Sequence, residues 1–361
     1  MIKTANNKII ILADDLNQWG GVERVTTSIA NGLANMGYQV QIVNMRGGDK
    51  PFFKLDPLIR IVSLFKKHGR IFIKAPLIIY RLRRLLLAEK PKVILTVESM
   101  LALVSVPASR GLSIRNICWE HLNFNVDLGR RSRRFARQFA AKYCDDIVTL
   151  TNQDAFLWKQ KTHLKAAIHT IPNPSPFAVQ NEHTPSMDSK MVLAVGRLTY
   201  QKGFDLLLQA WKMITAEEPD WRLRIVGNGP DEHYLHQLSS DLGINKSVEF
   251  VPATSNVQSH YKEAALFCMS SRFEGFAIVL VEAMSFGVPV VSFDCEAGPA
   301  EILAGTGAVL VAKENISELA NNLLKLIRDP SSRVIISRTE KLQAEKFQLD
   351  KIMNHWITLL N

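Results

Sequence analysis

Short apolar runs alternate along the chain with longer stretches in which apolar residues recur every three or four positions. Lys8–Ala13 is the first such run. A Gly20-Gly21 loop follows, then a segment of helical spacing from Val22 to Met36 that Gly37 ends. Gln39–Asn44, Val93–Val97, Arg115–Trp119 and Ile147–Leu150 continue the series. Short strands alternating with amphipathic helices predict a parallel sheet with helices on both faces.

The pattern breaks after residue 173. Pro174, Ser175 and Pro176 lead into a polar stretch through Ser189, so residues 174–190 read as a linker. The alternation then restarts: strand Met191–Val195, helix Phe204–Thr215, strand Arg222–Val226, helix Asp231–Leu242. Strands Val248–Val251, Leu266–Met269 and Pro289–Phe293 follow. Two α/β domains are therefore expected, residues 1–173 and 191–336. The remaining segment, 337–361, reads as one amphipathic helix, about Ser337 to Leu360, placed to pack back on the first domain. A length of 361 residues fits two domains of ordinary size. No short repeat period is present, which excludes a solenoid.

Ligands of open α/β sheets bind beyond the carboxyl ends of the strands, and the unusual residues fall in those loops. After Met269 comes SSRFEGFAIVLVEAMSFGVPV. Its helix is expected to begin near Ala277, with Gly287 just past its end and Pro289 beyond. Glu274 and Glu282 are carboxylates suited to vicinal hydroxyls. They could equally be solvated surface residues, but the apolar flanks make the helix a buried one, and a buried Glu needs a partner. After Val195 comes Gly196-Arg197-Leu198-Thr199-Tyr200-Gln201-Lys202-Gly203. Its two glycines permit close backbone approach, and its two cations suit a diphosphate. A basic surface loop is the plainer alternative. Gly20 and Gly21 open a helix and can cradle a phosphate, a weak signal taken alone. His121, in Trp-Glu-His-Leu-Asn, is as consistent with a structural role as with a functional one. No DxD, GxSxG, Walker A or metal-ligand spacing occurs.

Glu274-x7-Glu282 within SRFEGFAIVLVEAMSFGVPVV, the upstream GRLTYQKG and the N-terminal GGVER resemble glycosyltransferase family 4 across residues 8–311. The resemblance implies a GT-B fold, two facing Rossmann-like domains with a cleft between them, and retaining transfer from a nucleoside diphosphate sugar without a metal or other cofactor. It implies that Arg197 and Lys202, with Gly196, hold the donor diphosphate. Glu274 and the backbone at Gly275 and Phe276 would meet the donor sugar, and Glu282 the ribose. Gly20 and Gly21 would lie beside the diphosphate and the acceptor, and His121 near the transferred sugar. Two departures concern the nucleobase loop, Phe250-Val251-Pro252 in place of Phe-x-Gly, and a short Ala304–Gly307 turn. The segment Asp294–Glu301 is similar to that of bacterial enzymes building lipid-linked or surface polysaccharide. Expected partners are a nucleotide-sugar donor, UDP before GDP, and a glycan or lipid-diphosphate-linked acceptor. A GT-B UDP-N-acetylglucosamine 2-epimerase and a non-catalytic sugar-nucleotide or lipid-binding protein are the alternatives.

Charge adds a partner. Residues 1–173 carry 27 Lys/Arg against 12 Asp/Glu, whereas the remainder carries 17 against 22. Residues 57–90 hold nine basic residues and one acid, Glu89, among Leu, Ile and Phe. Arg130, Arg131, Arg133, Arg134 and Arg137 cluster beside Phe135 and Phe139. Basic and apolar residues on one surface suit an anionic membrane; a solvated helix face is the alternative. No nucleic-acid module accompanies the charge, so nucleic acid is not an expected partner. The apolar run Ile9 to Ala13 is too short for a signal or a span, and four scattered cysteines suit reduced core thiols. The expected location is cytoplasmic, peripheral on the inner face of the cytoplasmic membrane.

Overall fold

The computed structural model describes residues 7–18, 20–65, 71–183, 185–186 and 188–361. The chain divides into two compact units, Met1–Pro176 with Leu349–Asn361, and Phe177–Gln348. The division falls within the stretch read as a linker.

The first unit holds a seven-stranded sheet: β1 (Lys8–Ala13), β2 (Gln39–Asn44), β3 (Arg60–Ser63), β4 (Val93–Val97), β5 (Arg115–Trp119), β6 (Asp146–Thr149) and β7 (Ala167–Thr170). Its order is β3-β2-β1-β4-β5-β6-β7, with every pairing parallel. The order reverses between β1 and β4, where Ile9 pairs with Val93, and this is the switch point at which such sheets open a crevice. The helices are α1 (Gly21–Asn35), α2 (Ile71–Glu89), α3 (Ser99–Ser109), α4 (Arg131–Tyr143) and α5 (Asn152–Lys161). Helix α3 packs on both α2 and α4. Leu82 and Leu86 of α2 and Leu101 and Val104 of α3 join Ile10, Leu12, Val43 and Ile94 of the strands in one core.

The second unit holds a six-stranded sheet: β8 (Met191–Val195), β9 (Arg222–Val226), β10 (Val248–Val251), β11 (Leu266–Met269), β12 (Val290–Asp294) and β13 (Val309–Ala312). Its order is β10-β9-β8-β11-β12-β13, again all parallel. Helices α6 (Phe204–Glu217), α7 (Glu232–Asp241), α8 (Val257–Glu263), α9 (Ile278–Ser285), α10 (Pro299–Ile302), α11 (Ile316–Arg328) and α12 (Pro330–Ala344) accompany it. Trp211 of α6 and Leu323 of α11 are fully buried in its core.

Three expectations need correction. The single helix expected from Ser337 to Leu360 is two: α12 ends at Ala344, and α13 (Leu349–Leu360) belongs to the first unit. Gln348, with ψ 146°, breaks the helical path between them. Helix α13 packs on α1, where Gly32 leaves room for Met353. Trp356 lies edge-on to Trp119 at 4.9 Å, and Arg115 donates to the Leu359 carbonyl at 2.6 Å. Second, two strands are shifted by one residue: the run expected at Ile147–Leu150 is Asp146–Thr149, and that expected at Pro289–Phe293 is Val290–Asp294. Third, the arginine cluster divides by helical period. Arg133 and Arg137, four apart, face inward, Arg133 to Glu98 at 3.3 Å and Arg137 to Glu120 at 3.7 Å, while Arg131 and Arg134 stay exposed.

Candidate active site

In the second unit the loops after β8, β9 and β11 lie backbone against backbone, which glycine makes possible. Gly203 has φ +62°, and a Cβ there would sit 2.1 Å from the Ser270 carbonyl oxygen. A Cβ on Gly227 would sit 1.9 Å from the Gly196 carbonyl oxygen. Leu198 N donates to Asn228 O at 2.9 Å, and Arg272 N to Gln201 O at 2.8 Å. The sequence reading had singled out Gly196 and Gly203 but not Gly227.

This packing brings Lys202 and Glu274 together. The Lys202 stem crosses Gly196, with Cδ 3.2 Å from where a Cβ would be. Its Nζ donates to Glu274 Oε1 at 2.6 Å, and Ser271 Oγ donates to the same oxygen at 2.7 Å. The two charged side chains are 17% and 7% exposed. A pair so sheltered loses hydration that only good geometry and further hydrogen bonds offset, and Ser271 supplies one of them. Arg197, on the same loop, is exposed and pairs with no carboxylate among the described residues.

Helix α9 begins after Ala277, and Gly287, with φ +65°, follows its C-cap. Glu282 is buried inside it and accepts from the Tyr261 hydroxyl at 2.8 Å. Tyr261 itself is fully buried and stacked on Phe286 at 5.5 Å. Glu274 and Glu282 are thus held by different partners. Between them, the N–H groups of Gly275 and Phe276 have no acceptor among the described residues. They are free for a ligand oxygen at a helix start. The Phe276 ring is pinned edge-on against Phe347 at 5.9 Å.

In the first unit the carboxyl edge of the sheet carries the other expected residues. Gly20 precedes α1, and a Cβ on it would meet Glu23 Oε2 at 2.2 Å, so the Glu23 carboxylate occupies the space over that glycine. Burial raises the Glu23 pKa. Gly21 has open space around it. His121 is buried, its ring 4.4 Å from Trp119, and Nε2 has no hydrogen-bond partner among the described residues. Burial lowers its pKa to about 3, so the imidazole is neutral at physiological pH. Asp14, Asn17, Arg46, Asn123 and Asn173, all in loops at this edge, also have buried polar atoms without partners among the described residues. Such a concentration marks a place for a polar ligand.

Glu98 was not singled out from the sequence. It follows β4 at the switch point, with φ +68° and ψ 143°. That backbone is strained for a residue with a Cβ, and strain of this kind gathers at functional sites. Burial, then the nearby Glu120 carboxylate, pushes the Glu98 carboxyl up to about 7. A glutamate directly after a buried strand was the available signal.

Residues 178–343 match the family described as glycosyl transferases group 1, and residues 19–175 match glycosyltransferase family 4. An uncharacterized glycosyltransferase of Haemophilus influenzae is 34% identical, covering 98% of this chain and 99% of its own. The amylovoran biosynthesis glycosyltransferase AmsD of Erwinia amylovora is 27% identical over the same shares of the two chains. Among solved structures, a mutant of S. aureus TarM in complex with fondaparinux, alpha-GlcNAc-glycerol and UDP superimposes with a TM-score of 0.80. It is 13% identical and covers 98% of this chain and 99% of that one. Two parallel Rossmann-like sheets, a Lys202–Glu274 pair with Arg197 on the lysine's loop, and relatives along the whole length lead to one assignment: the chain belongs to glycosyltransferase family 4 and has the GT-B fold.

Proposed function

We propose that the chain transfers a hexose or N-acetylhexosamine, with retention, from UDP-sugar to a lipid-linked or growing glycan in polysaccharide synthesis. The observation that carries this reading is the sheltered Lys202–Glu274 pair, with an exposed Arg197 on the same loop as Lys202. An ammonium has three donors, and Glu274 takes one, which leaves two for phosphate oxygens. Arg197 adds a planar fork. Two cations on one loop, Lys202 held and Arg197 exposed, neutralise a leaving diphosphate as a metal would, which supports a metal-independent transfer. The second Glu274 oxygen and the Gly275 and Phe276 amides meet sugar hydroxyls, and Glu282 the ribose. Neutral His121 serves the transferred sugar, and the polar edge of the first sheet the acceptor. The leaving phosphate takes the acceptor proton on the face it departs from. UDP in the TarM complex and the polysaccharide role in the name AmsD support the choice of donor and pathway. Relatives along the whole length carry glycosyltransferase names, which favours transfer over epimerisation.

The membrane belongs to the same reading. No helix among the described residues is long and apolar enough to cross a bilayer. Helix α4, however, exposes Arg131, Arg134, Phe135, Lys142 and Tyr143 along one face. Its rings form a ladder, Phe135 to Phe139 at 6.2 Å and Phe139 to Tyr143 at 4.8 Å. Leu77, Tyr80 and Leu87 are exposed on α2 beside Arg81 and Arg84. Basic and aromatic residues on one surface fit an anionic leaflet, on the cytoplasmic side where nucleotide sugars are made.

The test is the anomeric configuration of the product. With UDP-α-sugar as donor and excess EDTA, an α-linked product by NMR is expected. A β-linked product, or turnover that EDTA abolishes, would overturn the retaining, metal-independent reading.

A further inference from the structure

Arg272 lies on the loop that carries Glu274 and reaches across to the loop that carries Lys202. Its Nη1 and Nη2 donate to Asp205 Oδ1 and Oδ2 at 2.8 and 2.7 Å, a two-pronged pair with the second residue of α6. Nη1 also donates to the Tyr200 carbonyl at 2.8 Å, and the guanidinium lies 4.0 Å over the Tyr200 ring. Its backbone N donates to Gln201 O, and Nε is 3.5 Å from Glu314. The side chain is 8% exposed. Tyr200–Lys202 is a single short turn, so one guanidinium fastens it at its first carbonyl and, through Asp205, just beyond its last residue. Ser270 Oγ, donating to the Lys202 carbonyl at 3.0 Å, adds a tie from the same segment.

We propose that Arg272 is the positioning residue of the donor site: it locks the Tyr200–Lys202 turn against the Glu274 loop and so aims the Lys202 ammonium at the donor diphosphate. The proposal rests on the reading of Lys202 as a diphosphate ligand. Lysine cannot replace it, because a point-charge ammonium cannot hold a carboxylate in two prongs, a carbonyl and an aromatic face together. Aimed donors bind more tightly than loose ones because less freedom is lost on binding.

The test is a double-mutant cycle read by calorimetry on the full chain, with UDP, GDP and ADP as probes. Arg272→Lys is expected to fold, with a melting midpoint near that of the wild type, and to bind the preferred nucleotide roughly tenfold more weakly. Lys202→Ala is expected to cost clearly less affinity in the Arg272→Lys background than in the wild type. Asp205→Asn, which keeps the guanidinium but loosens its anchor, is expected to show the same coupling and carries the cycle if Arg272→Lys does not fold. A purely structural Arg272 would lower the melting midpoint and leave the Lys202→Ala factor unchanged. Equal Lys202→Ala factors in both backgrounds, or unchanged binding by folded Arg272→Lys, would overturn the proposal and leave the donor site standing. Absence of nucleotide binding by the wild type, or binding indifferent to Lys202→Ala, would remove the donor site and this proposal with it.

Discussion

Glu282 and Glu340 are both buried glutamates, yet one accepts from a phenol and the other from a strand amide. Glu282 meets the Tyr261 hydroxyl, and Glu340 Oε1 accepts from Val290 N at 2.9 Å. That Glu282 needs a partner was legible from its apolar flanks. That the partner is Tyr261 was not, because it comes from α8 and only tertiary packing brings it there. Tyr261→Phe is expected to lower stability by about 1–3 kcal/mol, since a buried acceptor loses a donor, and to weaken nucleotide binding; unfolding by urea and calorimetry would check both. Glu340 is fully buried, and burial raises its pKa well above 4.5. Its folded form therefore holds a proton that the unfolded chain gives up above that value. The stability it contributes is complete below the unfolded pKa and is lost as pH rises toward the folded one. Glu340→Gln, which cannot ionise, is expected to gain on the wild type as pH rises from about 5 into the alkaline range. A stability difference that stays flat over that range would show that Glu340 is charged in the fold.

Most of the strands and α9 were readable because apolar residues dominate each, and α9 is followed by Gly287 with positive φ. Strands β1, β2, β4, β5, β8, β9, β10 and β11 have the expected bounds. Three of the four edge strands, β3, β7 and β13, were not read: each is only four residues long and incompletely buried, so burial leaves little trace in its sequence, whereas β10, equally short, is marked by Phe250. The break before α13 was hidden for a different reason. Both helices are amphipathic, and only their partners differ. Helix α13 completes the first unit, so Trp356→Ala is expected to destabilise that unit by about 3–5 kcal/mol, the usual cost of emptying a fully buried aromatic site. Hydrogen exchange should then quicken in β1, β4 and β5 and stay unchanged in β8 and β11. Faster exchange in the second sheet instead would contradict the assignment of this helix.

Across the whole molecule, charge and chemistry are divided between the units. The excess of basic residues lies in residues 1–173, and the sheltered cation–carboxylate pair lies in the second unit. The second unit's site was largely legible, since Arg197, Lys202 and Glu274 occupy loops after predicted strands. The first unit's was legible only in part: His121 was found, Glu98 was missed, and the arginine cluster was overcounted because two members turn inward. The exposed members carry the membrane expectation. Co-sedimentation with anionic vesicles should fall when Arg131, Arg134 and Lys142 are all changed to Gln, and the loss should shrink at high salt, where surface charge is screened. Unchanged binding would exclude α4 as the docking face. The most direct test of donor chemistry is slow hydrolysis of UDP-, GDP- and ADP-sugars by the purified protein in EDTA, read as released nucleoside diphosphate, beside Lys202→Ala. Release from UDP-sugar that the substitution abolishes is the expected result. Release that persists in Lys202→Ala, or that needs a divalent metal, would contradict a diphosphate site built on this lysine.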